Sequence, residues 1–251
     1  MLNNLDLNHL LTFPFADAQA RRNFLIGTAV ALAGFIIPIV PYLIMYGYTA
    51  RIMRQINAGQ KPQMAEWDDW GAMLRDGFNI LVVRLVFTLP LILVMAIFLM
   101  GIGILPVVTQ GQSQNPDAMA MAMLPLMFGV MILVVPFSLA LSVIVPAAEM
   151  HTVQHNDLSA GFRMREWWPI FRANWGGFLM AFLIYMAVST GVMFAIQFAL
   201  ITIVFICLLP LVLPAYTMYA SLIMYTAFAQ AYKEGADRIN TAAVEINHAS
   251  A

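Results

Sequence analysis

The sequence predicts an all-α, polytopic membrane bundle of about five to six hydrophobic segments in hairpins, with two interfacial, Trp-rich amphipathic helices. The composition is the first reason: 62% of the residues are hydrophobic, 10% are charged, and the mean hydropathy is +0.81. A soluble domain carries about 25% charged residues. The second reason is a run of long apolar segments with no polar stretch long enough for a separate domain. Residues 1–251 are therefore interpreted as a single integral membrane domain.

The first apolar segment, 24–50, is long enough for one tilted crossing but not for two. As a single helix it would extend about 40 Å, against a hydrocarbon core of about 30 Å. Gly34, Pro38 and Pro41 interrupt it near the middle, and such breaks also fit a short helical hairpin that enters and leaves on one side. Both readings, a single span and a hairpin, stay open at this point.

Two stretches rich in acidic residues and tryptophan are the predicted amphipathic helices, 64–77 and 163–176. Glu66 and Trp67 open the first, and one hundred positions later Glu166 and Trp167 open the second. The large apolar residues recur at helical spacing with charges between them, which is typical of a helix lying in the membrane interface. Since each stretch precedes an outward span, the pattern predicts a parallel internal repeat.

Four further spans follow from the remaining apolar runs. They are predicted at 78–108, 118–148, 175–206 and 208–232, and a polar tail, 233–251, ends the chain. The linker between the first two of these spans, 109–117, contains neither Lys nor Arg.

The basic residues predict the orientation. Eleven of the twelve Lys and Arg residues lie in other connecting segments or at segment ends, at positions 21, 22, 51, 54, 61, 75, 163, 165, 172, 233 and 238. Basic loops face the cytoplasm, so the positive-inside rule predicts a cytoplasmic C-terminus and an external 109–117 linker in the inner (cytoplasmic) membrane. Arg21 and Arg22 predict a cytoplasmic N-terminus by the same rule, and this favours the hairpin reading of 24–50.

Several short motifs resemble one known family. They are Gly47-Tyr48 with Arg51, Arg54 and Gly59, the stretch 66–71 with Asp76-Gly77, the stretch 159–163 with Glu166-Trp167, Phe171-Arg172 and Asn174, and the ending 229–232. Together they resemble the domain of unknown function numbered four thousand and thirteen, a family of prokaryotic polytopic membrane proteins. The resemblance covers nearly the whole chain and implies a multi-pass bundle. It implies no established activity.

Two clusters of titratable residues are candidates for metal or acid–base sites. Glu66, Asp68, Asp69 and Asp76 have no nearby His, and an acidic first turn favoured by the helix dipole accounts for most of them. His151 and His155 stand four apart on one helical face, but metal binding requires a third ligand, for which Glu149 is poorly phased. The sequence therefore favours a polar helix end here, and no catalytic, cofactor-binding or metal-ligating residue is assigned.

Arg84 is the one charge inside an apolar segment, and such a residue is a functional candidate by default. Snorkelling to the headgroups or pairing with Asp76 are the ordinary alternatives. The predicted contacts with lipid or partner are Trp67, Trp70, Arg75, Arg84, Trp168, Arg172 and Trp175.

The function predicted from these features is structural rather than enzymatic. Phosphate-binding loops and plausible nucleophile sets are absent from the sequence, no cofactor is implied, and the net charge of −1 gives no argument for nucleic acid. The preferred hypothesis is a protein that binds membrane lipids, a membrane-protein partner or a second copy of itself. The alternative is a transporter or channel-like protein for a lipid or apolar solute.

Overall fold

A computed structural model describes residues 7–109, 116–200 and 207–249, and within these ranges all the regular structure is helical. This confirms the all-α class. The described residues form the α-helices α1 (Leu7–Thr12), α2 (Ala18–Ala33), α3 (Val40–Asn57), α4 (Trp70–Thr109), α5 (Pro116–His155), α6 (Met164–Ala173), α7 (Trp175–Leu200) and α8 (Leu209–Ala249). Short 3-10 helices cover Phe13–Phe15 and Leu158–Phe162.

Four of these helices are long and apolar enough to cross a membrane. The qualifying stretches are Trp70–Gly101 in α4, Met127–His155 in α5, Trp175–Phe198 in α7 and Leu209–Glu245 in α8. Since the hydrocarbon core needs about 20 apolar residues per helix, these four helices indicate a membrane-embedded protein.

The chain divides into two compact units. The first comprises Met1–Val83 and Pro146–Ala251, and the second comprises Arg84–Val145. In the first unit α8 is the central helix, because α1, α2, α3, α6 and α7 all pack against it. Its buried side chains include Tyr225, Phe228 and Tyr232. Where the structure describes the second unit, it is apolar helix whose described side chains are mostly exposed, such as Ile97 and Ile132.

The segment 24–50 falls in two helices that pack on each other, α2 and α3. The break at 34–39 lies where Gly34 and Pro38 interrupt the apolar run, and Pro41 sits in the first turn of α3, where its missing N–H costs nothing. Of the two readings left open by the sequence, this arrangement has the form of a helical hairpin.

The prediction of a separate amphipathic helix over 64–77 is wrong. Residues 60–69 are not helical, and α4 begins at Trp70 and continues without a break into the apolar span. Asp69 starts it by accepting a hydrogen bond from the N–H of Ala72 at 3.0 Å, as an N-cap does. Tertiary contacts hold the preceding residues outside a helix: the carbonyl of Ala65 accepts from Asn23 at 2.9 Å and from Tyr48 at 2.8 Å.

The second predicted amphipathic helix corresponds to α6, which is separate from α7 because the chain breaks at Asn174. The stretches beginning at Glu66 and Glu166 therefore differ in secondary structure, and they cannot superpose over their first residues. The parallel repeat of the spans stays a prediction.

The last helix extends further than the sequence indicated. Residues 233–249, within the predicted polar tail, continue α8. Two pairs one turn apart support this continuation, Lys233 with Asp237 at 2.6 Å and Glu234 with Arg238 at 3.8 Å. The predicted spans 78–108 and 118–148 lie within the longer helices α4 and α5, residues 175–200 coincide with α7, and 209–232 lies within α8; residues 201–206 of the third predicted span lie outside the described residues.

A close crossing between α3 and α4 fixes the start of α4 in the first unit. A Cβ on Gly47 would overlap the backbone of Met73, and a Cβ on Gly77 would overlap the backbone of Leu43. Only glycine permits the two backbones to approach so closely. The crossing brings the polar end of α3 beside the first turns of α4.

Candidate functional site

The densest polar cluster lies where α5 ends and the chain turns back through α6. Asn156 ends α5 in the left-handed region, with φ 51°, which asparagine tolerates better than most residues. Asp157 then caps the 3-10 helix, accepting from the N–H of Ser159 at 2.9 Å. After this turn α6 begins at Met164, and its first turn places Glu166 beside the last turns of α5.

His151 is the centre of this cluster. It is buried, with 3% of its surface exposed, and its Nε2 lies 3.0 Å from Oε2 of Glu166. Its Nδ1 lies 2.6 Å from the hydroxyl of Tyr232 on α8. A carboxylate only accepts, so Nε2–H donates to Glu166 and the Tyr232 hydroxyl donates to Nδ1. His155 is exposed, and its ring centroid lies 4.3 Å from that of His151.

Two carboxylates at this turn are kept ionised. Arg163 donates to Oε1 of Glu166 at 3.0 Å and to Oδ2 of Asp157 at 3.1 Å. The hydrogen bond from His151 lowers the pKa of Glu166, and the charge of Arg163 adds to the effect. Hydrogen bonds from Ser159 lower the pKa of Asp157. The site thus presents an anionic oxygen, Glu166, next to two imidazoles.

The position of Glu166 depends on how α6 is anchored. Trp167 is fully buried, and its Nε1–H donates to the carbonyl of Gly161 at 2.9 Å. At the other end of α6, Asn174 donates to the carbonyl of Ala231 on α8 at 2.9 Å, and Arg238 donates to the carbonyl of Ala173 at 2.9 Å. Both ends of the short helix are therefore held by hydrogen bonds.

A second polar cluster lies at the end of α3. Arg54 pairs with Asp76 at 2.7 Å and donates to Oδ1 of Asn156 at 2.7 Å. Asp76, with 5% of its side chain exposed, is the buried member. Arg51 pairs with Asp68 and donates to the carbonyl of Glu66 at 3.0 Å. Arg51 and Arg54 of α3 thus connect the non-helical 60–69 segment, α4 and the residue that follows α5.

The residues predicted to contact lipid or a partner fall into two groups. Trp67 is half-buried, stacks on Tyr48 at 4.0 Å between ring centroids, and donates to the carbonyl of Asn23 at 2.9 Å, so it packs within the protein. Arg84, in the second unit, is also half-buried, and its carbonyl accepts from the hydroxyl of Thr88 at 2.8 Å. The others are exposed: Trp70, Arg75, Trp168, Arg172 and Trp175.

The contacts of His151 with Glu166 and Tyr232 do not follow from the sequence pattern. The pattern indicates only the four-residue spacing of His151 and His155 and places Glu166 in a tryptophan motif. The capping pair Asp157 and Ser159 was a usable signal, because it predicts a tight turn that folds the chain back on the helix end.

Two described cavities lie away from this cluster. One, of about 370 Å³, lies between the 59–62 turn and α8 and is lined by Gln60, Lys61, Gln230, Lys233 and Asp237 among others. The second, of about 580 Å³, is an open groove along α7 lined by Ser189, Thr190, Met193, Phe194, Gln197 and Phe198. Arg84 lines neither.

The family model described as "Protein of unknown function (DUF4013)" matches residues 30–200, more than half of the chain. No curated protein and no solved structure matches the sequence.

Proposed function

The chain belongs to the DUF4013 family, a family of unknown function, and we propose that it is a non-enzymatic protein of the inner membrane that binds lipid or a membrane partner. The supporting observation is the exposure of its apolar helices. In the most apolar stretch of α4, α5 and α7 only 11%, 6% and 6% of the residues are buried, against 50% in α8. The described residues thus cover only a small part of these three apolar stretches.

The exposed side chains are large. Phe128, Ile132 and Phe194 each expose more than half of their surface, at 61%, 75% and 62%. Leaving such a side chain in water costs about 1.5–3 kcal/mol relative to burying it. Either lipid tails or the side chains of a partner helix can cover these faces. A binding role therefore requires no other feature of the spans.

Tryptophan and arginine occur together at the starts of two spans. Trp70 and Arg75 lie in the first turns of α4, and Arg172 and Trp175 lie at the junction of α6 and α7. Trp175 exposes 62% of its surface. An indole ring suits the depth of the headgroups, and a guanidinium pairs well with phosphate. We expect these residues to contact anionic lipid or the rim of a partner on the cytoplasmic side.

A second candidate function, passage of a lipid or apolar solute, is favoured by the groove on α7. Ser189 and Gln197 give this apolar groove polar positions within a predicted span. Such positions are unusual in a helix that faces only lipid tails. The two functions differ in what Arg84 does, because a binding protein tolerates its loss and a transporter that uses the charge does not.

The test is to isolate the protein in native nanodiscs and to identify bound lipids and proteins by mass spectrometry. A defined phospholipid or protein should co-isolate, and the double variant Arg172→Ala/Trp175→Ala should reduce its amount several-fold. Arg165→Ala, which removes another exposed basic residue of α6, is the matched control.

A proteoliposome assay of lipid movement separates the two functions. If the protein only binds, the wild type does not accelerate the movement of a labelled phospholipid between leaflets, and Arg84→Leu expresses and binds normally. Accelerated movement that Arg84→Leu abolishes would replace binding by transport as the function. Isolation of the protein with neither a defined lipid nor a partner would contradict the first proposal.

A further inference from the structure

We propose that His151, His155 and Glu166 form a binding site for a divalent transition-metal ion, and that Zn²⁺ is the ion that fits best. One ligand atom from each residue lies within 4.8 Å of the others. Two imidazoles and one carboxylate are typical protein ligands of Zn²⁺, whereas Mg²⁺ and Ca²⁺ prefer oxygen ligands alone. The two His residues lie on one face of α5, and the turn at Asp157 places the carboxylate of Glu166 beside them.

The geometry requires only a small adjustment to hold an ion. Zn²⁺ bonds to nitrogen and oxygen are about 2.0–2.2 Å long, so tetrahedral ligand atoms lie about 3.3–3.6 Å apart. Nε2 of His151 and Oε2 of Glu166 are already 3.0 Å apart. His155 and Glu166 are exposed, so rotation of their side chains can complete the set. Their exposure also provides a path by which the ion enters.

The groups around the three ligands are those that metal sites commonly have. The second ring nitrogen of a ligating His is usually hydrogen-bonded, which fixes the ring and its tautomer. Tyr232 does this for His151, with its hydroxyl 2.6 Å from Nδ1. A hydroxyl both donates and accepts, so it can accept a hydrogen bond from Nδ1–H in the tautomer in which Nε2 is the ligand. Arg163 holds the second oxygen of Glu166 at 3.0 Å and orients the carboxylate.

The ion would link two segments that are otherwise joined only by a turn of the chain. His151 and His155 belong to the last turns of α5, whereas Glu166 belongs to α6, which is anchored to α8 through Asn174. An ion at this point would fix the turn 156–163, and as a three-ligand site it would keep a fourth position for water or an external ligand. Binding would therefore stabilise the protein and make its stability depend on metal concentration.

The experiment uses the full chain in nanodiscs. Any polyhistidine tag is removed, and the protein is treated with a chelator to remove bound metal before the titration. Titration with Zn²⁺ by calorimetry should give one ion per chain, and Co²⁺ should give the visible absorption of a tetrahedral site. His155→Ala and Glu166→Gln should each weaken Zn²⁺ binding at least tenfold. His248→Ala, which removes an exposed His outside the cluster, should leave the affinity unchanged.

Thermal stability measured with and without the ion separates loss of binding from loss of folding. In the presence of chelator, His155→Ala should have the Tm of the wild type, because its ring is exposed. Added Zn²⁺ should raise the Tm of the wild type and of His248→Ala but not that of His155→Ala. Absence of binding to the wild type, or equal binding by the wild type and both cluster variants, would overturn the proposal and leave the cluster as a hydrogen-bonded network.

Discussion

Replacement of Trp167 tests how α6 is held in place. Its side chain is fully buried, and its Nε1–H donates to the carbonyl of Gly161 at 2.9 Å. Trp167→Ala removes the ring from the packing of α6 and leaves a buried carbonyl without this donor. Since Glu166 is the neighbouring residue, the same change should loosen the contact between Glu166 and His151.

The expected cost follows from area and from the hydrogen bond. A buried aromatic side chain removes about 150–250 Å² from water, and at about 25 cal/mol per Å² this corresponds to about 4–6 kcal/mol. Measured Trp→Ala changes in cores cost about 3–5 kcal/mol. We expect a loss of about 4 kcal/mol in the free energy of unfolding, which lowers Tm by about 8–16 °C for a chain of this size. Trp167→Phe keeps most of the ring and should cost about 1–2 kcal/mol.

Tm can be measured by heating the protein in detergent and quantifying the remaining monodisperse fraction by size-exclusion chromatography. Trp175→Ala is the matched control, because 62% of that residue is exposed, and it should shift Tm by no more than about 2 °C. A Trp167→Ala variant as stable as Trp175→Ala would refute the reasoning, since it would show that Trp167 does not anchor α6.

Three further predictions concern charge and topology. Asp76→Asn removes the charge that pairs with Arg54 and should lower the free energy of unfolding by about 3 kcal/mol, because Asp76 is buried. Asp68→Asn changes an exposed pair and should lower it by at most about 1 kcal/mol in the same melting assay. The pKa of Glu166 is lowered in the folded protein, so its contribution to stability is complete above its ordinary value of 4.5 and is lost as pH falls through the folded value. Tm should therefore drop on acidification, less steeply in Glu166→Gln, and equal slopes would contradict this pairing. A cysteine at position 113 in a Cys207→Ser background should react with an impermeant reagent in intact cells. A reporter fused before Arg21 should be cytoplasmic. Failure of the cysteine at position 113 to react would indicate the opposite orientation.

The sequence predicted the helices well where burial in lipid dictates them. Apolar runs of span length and the interruption by Gly34 and Pro38 predict the apolar parts of α2 to α5, α7 and α8 with little help from tertiary structure.

The incorrect predictions concern segments whose backbone conformation depends on side chains distant in sequence. The segment before Trp70 has helical periodicity, but Asn23, Tyr48 and Arg51 donate to its carbonyls and hold it outside a helix. Those partners lie fifteen or more positions away in sequence, so no local pattern records them. Likewise, the distance from His151 to Glu166 depends on the angle between α5 and α6. That angle follows from the turn at Asp157 and from the burial of Trp167.

The length of α8 has a practical consequence for imaging the protein. From Lys233 to Ala249 the helix continues for about 25 Å beyond its most apolar part. A chain of 27.9 kDa that consists mainly of membrane spans offers few features by which single particles can be aligned in electron microscopy. A folded domain joined to α8 in unbroken helical register would serve as a fiducial marker with a fixed orientation, which a flexible C-terminal linker would not provide.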